Sequence, residues 1–259
     1  MTVSEKAEVS DHLNRLDVLG GLRWGFESAA NRVLSDLPEA AGYDATACGG
    51  ARHSLLRDRF DRVFSCERYR VLDGEASTGL DILHRELSDD DILTLPRIAP
   101  GSITRSNMNG SPGWTDGKVR LLIASADFGA IHDVRWSERS ETKQKVARQP
   151  LTPQVEPTVL DALPDEILKS LFANSKRQLD LPTYVVAHTL NSATGERELV
   201  LGRPRDNSDG GDAWRWTVDL MSGPGLARTA EPRATGPVPH EDEPDVPVRL
   251  RQRPSEAHQ

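Results

Sequence analysis

Residues 183–220, TYVVAHTLNSATGERELVLGRPRDNSDGGDAWRWTVDL, contain three segments with the pattern of β-strands. Apolar and β-branched residues dominate 183–190 and 197–203, and the connection NSATGE between them has the length and the glycine of a hairpin loop. In 213–220, Trp, Trp, Val and Leu alternate with polar residues, which is typical of a strand with one buried face. The stretch therefore predicts an antiparallel sheet late in the chain.

Two further strands are predicted upstream, at 101–107 and 118–125. They flank the segment NGSPGWTDG, which holds several turn-forming residues. A strand, a turn-rich insert and a second strand are typical of a hairpin. The sheet is therefore expected to be mixed or antiparallel.

The N-terminal part has helical periodicity instead. Apolar residues recur every three or four positions between Ser10 and Pro38, which predicts an amphipathic helix. Glycines lie inside that pattern, so we expect two pieces that meet at the glycines. A second helix is expected at 52–64. Ser88 with Asp91 resembles a capping box, which would begin a short helical turn that ends at Pro96. Other helices are expected at 77–87 and 165–179.

The last 38 residues, 222–259, hold seven of the 17 prolines and no aromatic residue. Such a composition buries too little apolar surface to offset chain entropy, so a disordered C-terminal tail is expected. The predicted fold class is α+β, with a helical N-terminal part at 10–96 packed on the sheet of a part at 97–221. Whether these two parts form one continuous domain is left open.

Composition excludes several classes of protein. The 259 residues are 37% hydrophobic and carry a net charge of −8, which is typical of a soluble protein. No apolar run approaches the roughly 20 residues of a spanning helix, and the first residues lack the pattern of a secretion signal. We therefore expect a cytoplasmic protein without membrane contact, in which Cys48 and Cys66 are free thiols.

The common sequence motifs of enzymes are missing. The chain has no phosphate-loop, dinucleotide-binding or nucleophile-elbow motif, and its seven histidines are scattered without metal-ligand spacing. The sequence therefore predicts no cofactor and no metal ion. His188 is expected to be a half-buried structural residue of a strand.

Positive charge is distributed unevenly along the chain. Residues 97–150 hold nine Lys and Arg against five acids, although the whole chain is acidic. Basic groups near tryptophans suit phosphate groups and unstacked bases. The favoured function is therefore an accessory or binding protein that engages a negatively charged partner, preferably nucleic acid, through 97–148; a solvated surface is the simpler alternative. The expected contacts are Arg105, Lys118, Arg120, Arg135, Arg139, Lys143, Lys145, Arg148, Trp114 and Trp136.

A metal-dependent nuclease is one alternative function. Asp127 precedes Glu141 and Lys143 in the order acid, then Glu-x-Lys, in which two carboxylates can hold Mg²⁺ and the lysine can stabilise charge on the attacked phosphate. The surrounding sequence SERSETKQK is hydrophilic throughout, which favours a surface helix or loop over a buried strand. Whether the protein is an enzyme is therefore left open.

A protein-interaction module is the other alternative. The acidic surface, the tryptophan-bearing sheet with Trp214 and Trp216, and the tail at 222–259 could all recruit a protein partner. This hypothesis needs no small ligand. It therefore differs from the first in predicting partners that are indifferent to nucleic acid.

Overall fold

The computed structural model describes residues 2–38, 41–70, 82–150 and 181–222. The chain divides into a compact unit, Met1–Gly223, and a second unit, Pro224–Gln259, which lies outside the described residues. Both the helical and the sheet-containing part therefore belong to the first unit. The helix predicted at 165–179, residues 77–81 of the one at 77–87, and the predicted tail beyond Ser222 also lie outside the described residues, whereas 82–84 are helical as predicted.

Three long helices form the N-terminal layer: α1 (Thr2–Arg15), α2 (Val18–Asp36) and α3 (Ala45–Val63). The break between α1 and α2 lies at Asp17, whose φ of 54° is left-handed, and not at the glycines. Gly25 is instead a contact point inside α2, because a Cβ there would stand 2.6 Å from the ring of Phe60 on α3. The sequence prediction of a break at the glycines was therefore wrong: Gly21 and Gly25 instead allow α2 to approach α3.

Short helices follow in the connections. A 3₁₀ turn η1 (Glu67–Tyr69) precedes α4 (Asp89–Thr94), and η2 (Trp136–Glu138) precedes α5 (Glu141–Ala147). The predicted capping box of α4 is confirmed, because Ser88 Oγ accepts from the Asp91 N–H at 3.1 Å while the Asp91 carboxylate accepts from the Ser88 N–H at 3.4 Å. No helix in the described ranges is long and apolar enough to cross a membrane.

The sheet has six strands in chain order. They are β1 (Thr104–Arg105), β2 (Gly113–Thr115), β3 (Arg120–Ser125), β4 (Thr183–Leu190), β5 (Arg197–Pro204) and β6 (Trp214–Asp219). Neighbours pair antiparallel except β3 and β4, which run parallel. The strands predicted in 183–220 are confirmed almost residue for residue, whereas the one predicted at 101–107 is reduced to β1. The α+β fold with a mixed sheet is confirmed.

The sheet is buried on both faces. One face packs against α1, α2 and α3, where Phe26 and Phe60 join Leu121 and Val186 in the larger core. The opposite face is covered by the segment with η2 and α5, where Trp136 packs on Leu122 and Val185 in a second core. Double burial explains why every residue of β4 is buried and why its sequence does not alternate between apolar and polar residues.

A register shift between β5 and β6 separates two tryptophans. Arg203 pairs with Trp216 while Pro204 pairs with Trp214, so Arg215 has no opposite residue. Because a one-residue slip turns side chains to the other face, Trp216 lies in the larger core and Trp214 in the second. The sequence pattern placed both tryptophans on one face, and the bulge corrects that prediction.

Gly113 offers a test of the packing between β1 and β3. A Cβ at this position would clash with the carbonyl oxygen of Ser106 and stand 2.6 Å from Leu122 Cδ2. We expect Gly113→Ala to lower the free energy of unfolding by about 1–3 kcal/mol in urea denaturation. Gly50→Ala is the control, since nothing in α3 or around it lies within 4 Å of a Cβ there and alanine favours helix. Equal effects of the two changes would contradict this packing.

Candidate functional site

The two tryptophans of the predicted nucleic-acid surface lie in the cores. Trp114 and Trp136 are both 0% exposed. The indole N–H of Trp114 donates to Asp61 at 3.0 Å, and that of Trp136 donates to the Ala213 carbonyl at 2.6 Å. Neither ring is therefore available to stack on a base.

Two of the predicted arginine contacts are also engaged inside the structure. Arg105 on β1 pairs with Asp61 at 3.3 Å, and its guanidinium lies 4.4 Å from the centre of the Trp114 ring. Arg120 on β3 is buried and donates from Nε to Ser106 Oγ at 3.0 Å. These side chains stabilise the sheet edge and do not project from it.

The exposed members of the predicted set are largely paired with acids. Lys118, Arg135, Arg139, Lys145 and Arg148 are exposed. Ion pairs join Arg135 to Glu138 at 3.2 Å, Lys145 to Glu141 at 2.8 Å, and Arg148 to Asp206 at 3.0 Å. The stretch 97–148 therefore presents mixed charge at these positions, and its sequence excess of positive charge is partly buried.

The structure separates the residues of the predicted nuclease site. Glu141 and Lys143 lie on the same short helix, but Glu141 is exposed and paired with Lys145, whereas Lys143 is buried. Asp127 is exposed in the segment after β3. Within the described ranges, no group of three His, Cys, Asp or Glu could hold a metal ion.

Lys143 instead occupies a core-facing position of α5. Its buried neighbours on that helix are Thr142, Val146 and Ala147, which form the stripe that packs on the sheet. In the described structure, no group accepts a hydrogen bond from Lys143 Nζ. Burial lowers the pKa of this ammonium from 10.5 to about 8, because removal from water disfavours its charged form.

The charge of Lys143 acts on His53, which is one of a pair of neighbouring histidines. His53 on α3 is half-buried, and its ring centre lies 6.4 Å from that of His188 on β4. Burial lowers the pKa of His53, and the positive charges of Arg57, Lys143 and Arg52 lower it further. These surroundings therefore favour the neutral form of the His53 imidazole.

His188 is fully buried beside Ser125. Its Nε2 lies 3.3 Å from Ser125 Oγ, while Nδ1 contacts no hydrogen-bond partner in the structure as described. Burial holds the pKa of His188 well below 6.5, with further lowering by Arg52 and His53. The expected half-buried structural histidine is therefore a neutral, fully buried one with an unused ring nitrogen.

Arg52 completes this group. It is buried on α3, and Nη1 donates to the Leu190 carbonyl at 3.2 Å, whereas Nε finds no acceptor among the described residues. The hydroxyl of Thr189 is likewise buried and unpartnered there. We call Arg52, His53 and His188, together with Lys143, whose charge lowers the pKa of His53, the cationic cluster; Lys143 belongs to α5, which covers the opposite face of the sheet from α3.

The cationic cluster is located at a sheet position where ligands commonly bind. Ser125 and Leu190 are the last residues of the parallel strands β3 and β4, and both contact the cluster. In open sheets, ligands bind beyond the carboxyl ends of parallel strands. Arg52 and His188 therefore present unused donors at a plausible binding position of this fold.

Charge balance distinguishes this cluster from several other buried cations, although Arg120 is also buried without an acid partner and donates to Ser106. Arg59 and Arg62 pair with Asp58, and Arg203 pairs with Glu5. Over the described ranges, no ion pair with an acid joins Arg52 or Lys143. Because a buried charge without a counter-charge is costly, an anion would stabilise the cluster.

Comparison with protein-family models, curated proteins and solved structures finds no match to this chain.

Sequence reasoning singled out Lys143 but assigned it to a surface, and it did not single out Arg52 or His53. One signal was present: Lys143 lies three and four positions before Val146 and Ala147, which are the apolar residues at the end of α5. That spacing puts all three on one helix face. A charged residue on an apolar stripe is the feature that identifies the site.

Proposed function

We propose that this protein binds a compact oxyanion, such as the phosphate group of a small ligand, at the cationic cluster. The observation that supports the proposal is the presence of buried Arg52 and Lys143 with unpartnered donors and no acid among their described neighbours. An oxyanion supplies both the missing negative charge and several acceptor oxygens. It thereby offsets the desolvation of the cations.

The donor set matches an oxyanion better than a metal or a cation. Lys143 Nζ and Arg52 Nε are donors only, and His188 Nδ1 and the Thr189 hydroxyl can donate. Charge-assisted hydrogen bonds in a buried site are stronger than those in water. Binding therefore depends on a few short contacts.

The proposed ligand is negatively charged, like the nucleic acid expected from the sequence, but it is a small anion and not a polymer. Lys143 is 7% exposed, so a small anionic group fits the cluster better than a polymer backbone. Nucleic acid and protein partners stay predictions, and each would bind at a surface outside the cationic cluster. A cytoplasmic location is supported by the free thiols of Cys48 and Cys66, since reducing compartments preserve them.

Phosphate titration of the full chain tests the proposal. We expect inorganic phosphate to raise the thermal unfolding midpoint and to give a saturable calorimetric isotherm, because a ligand that binds only the folded state stabilises it. Lys143→Met keeps the side-chain volume and removes the charge, so it should weaken binding at least about tenfold.

Lys145→Met is the matched control, because Lys145 lies on the same helix but is exposed and paired with Glu141. It should bind phosphate as the wild type does. Absence of saturable binding in the wild type, or equal affinity of the Lys143 variant and the wild type, would overturn the proposal. Competition by a DNA or RNA oligonucleotide that Lys143→Met abolishes would extend it to nucleic acid.

A further inference from the structure

Strand β6 forms one edge of the sheet. Among the described strands, only β5 pairs with it. Its six residues, Trp214–Asp219, include neither glycine nor proline, whereas the opposite edge strand β1 has only two residues. A long edge strand presents a row of unpaired backbone groups, which can pair with a strand of another chain. The edge of β6 is therefore the part of the sheet best suited to accept a further strand.

The hydrogen bonds to β5 show which backbone groups of β6 point outward. The Leu220 N–H donates to the Leu199 carbonyl at 2.9 Å, so these two residues form a hydrogen-bonded pair. Such pairs alternate with non-bonded pairs along an antiparallel ladder, and the alternation makes Thr217 and Asp219 the non-bonded positions. The N–H and C=O groups of these two residues therefore point away from β5, toward the edge.

The exposure of β6 agrees with an open edge. Asp219 is exposed, and Thr217 and Val218 are partly exposed, whereas every residue of β4 is buried. Helix α1 lies on a face of this strand and not beside it, since Trp216 Nε1 donates to Glu5 at 3.0 Å from the larger core. Within the described ranges, the two layers thus cover the faces of the sheet and leave the outward groups of β6 unpaired.

We propose that two copies of this chain associate through β6, with the two strands antiparallel about a twofold axis at Thr217. In this register the outward N–H and C=O groups of Thr217 bond to those of the same residue in the second copy. Each copy uses the same surface, so the contact closes on itself and the assembly stops at a dimer. The two six-stranded sheets become one continuous sheet.

Charge and packing favour this register over its neighbour. It puts Arg215 of each copy opposite Asp219 of the other, and opposite charges across two strands stabilise their pairing. Arg215 has no opposite residue on β5, and its buried Nε finds no acceptor among the described residues. The same register pairs the aromatic Trp216 with the β-branched Val218. A register centred on Val218 would instead put Arg215 opposite Met221.

Analytical ultracentrifugation of the full chain over a range of concentrations tests the proposal. We expect a reversible dimer for the wild type, and Thr217→Pro should weaken dimerisation at least about tenfold, because proline removes the N–H at the centre of the contact. That N–H is not bonded to β5, so the ladder within one chain is kept. Thr217→Val is the matched control: it keeps the N–H and the branched side chain, and should dimerise as the wild type does.

An exchange of charges tests the register independently of the proline variant. Arg215→Asp and Asp219→Arg each bring like charges together across the axis and should weaken the dimer, whereas the double variant restores opposite charges and should recover it. This recovery can be measured even if Thr217→Pro does not fold. Three results would overturn the proposal: a wild type that is monomeric at every concentration, a folded Thr217→Pro protein that dimerises like the wild type, or a double variant that dimerises no better than the single ones.

Discussion

Asp58→Asn is expected to lower the free energy of unfolding by about 3–5 kcal/mol, because it removes the counter-charge of two buried arginines. Arg59 and Arg62 both donate to the Asp58 carboxylate at 2.8 Å, and their side chains are 3% and 5% exposed. The Tyr69 hydroxyl donates at 2.5 Å, and Arg68 also contacts the carboxylate. The asparagine would leave two cations in the interior without charge compensation.

The pH dependence of the wild type provides a second measurement. Burial alone would raise the pKa of Asp58, but hydrogen bonds from Tyr69, Arg62 and Arg68 outweigh it and lower the pKa from 3.8 to about 2. A lowered acid pKa adds stability that is present above the unfolded value and is lost as pH falls toward the folded value. About 2 kcal/mol should therefore disappear between roughly pH 4 and 2, and Asp58→Asn should lack this step.

Asp36→Asn is the matched control for the Asp58 variant. Asp36 pairs with Arg32 on α2, and both side chains are nearly half exposed. Exposed ion pairs of this kind contribute less than about 1 kcal/mol. Similar losses for Asp36→Asn and Asp58→Asn in urea denaturation would show that the Asp58 interactions do not stabilise the fold.

The sheet of 183–220 could be predicted because its signals are local. The hairpin loop before Arg197 and the apolar run of β4 depend on neighbours in sequence. The bulge at Arg215 depends on which residues of β5 are opposite, and the role of Gly25 depends on the ring of Phe60 from another helix. Such features arise only from tertiary packing.

The same limit applies to the site. Counting charges along 97–150 treats each cation as exposed, yet Arg120 and Lys143 are buried while Arg135 is exposed and paired. Residues of the cluster come from α3, α5 and β4, which are distant in sequence. The sequence thus indicated Lys143 as a cation of interest, but not its burial or its neighbours.

Lys143→Met should raise the free energy of unfolding at neutral pH by about 3 kcal/mol in the absence of ligand, even though it should weaken the proposed anion binding. The lysine is desolvated without an acid partner among the described residues, and its pKa of about 8 lies well below the ordinary 10.5. That difference is the free energy which the charged form loses on folding. A buried charged residue that lowers stability is typical of a group that serves in binding.

The sign of the pH effect distinguishes this explanation from simple repacking. Between about pH 8 and 10.5 the unfolded chain holds the proton of Lys143 and the folded chain does not, so this residue makes wild-type stability rise with pH there. Burial raises the pKa of the Cys66 thiol and of the Tyr184 hydroxyl to about 12, which opposes the rise in wild type and variant alike.

The informative quantity is therefore the stability difference between Lys143→Met and wild type, measured by urea denaturation at several pH values. It should shrink from about 3 kcal/mol toward zero across that window, while the same difference for Lys145→Met stays small and constant. A Lys143→Met protein that is less stable than wild type at neutral pH, or a difference that does not change with pH, would show that the buried ammonium is compensated and would remove the basis for the anion site.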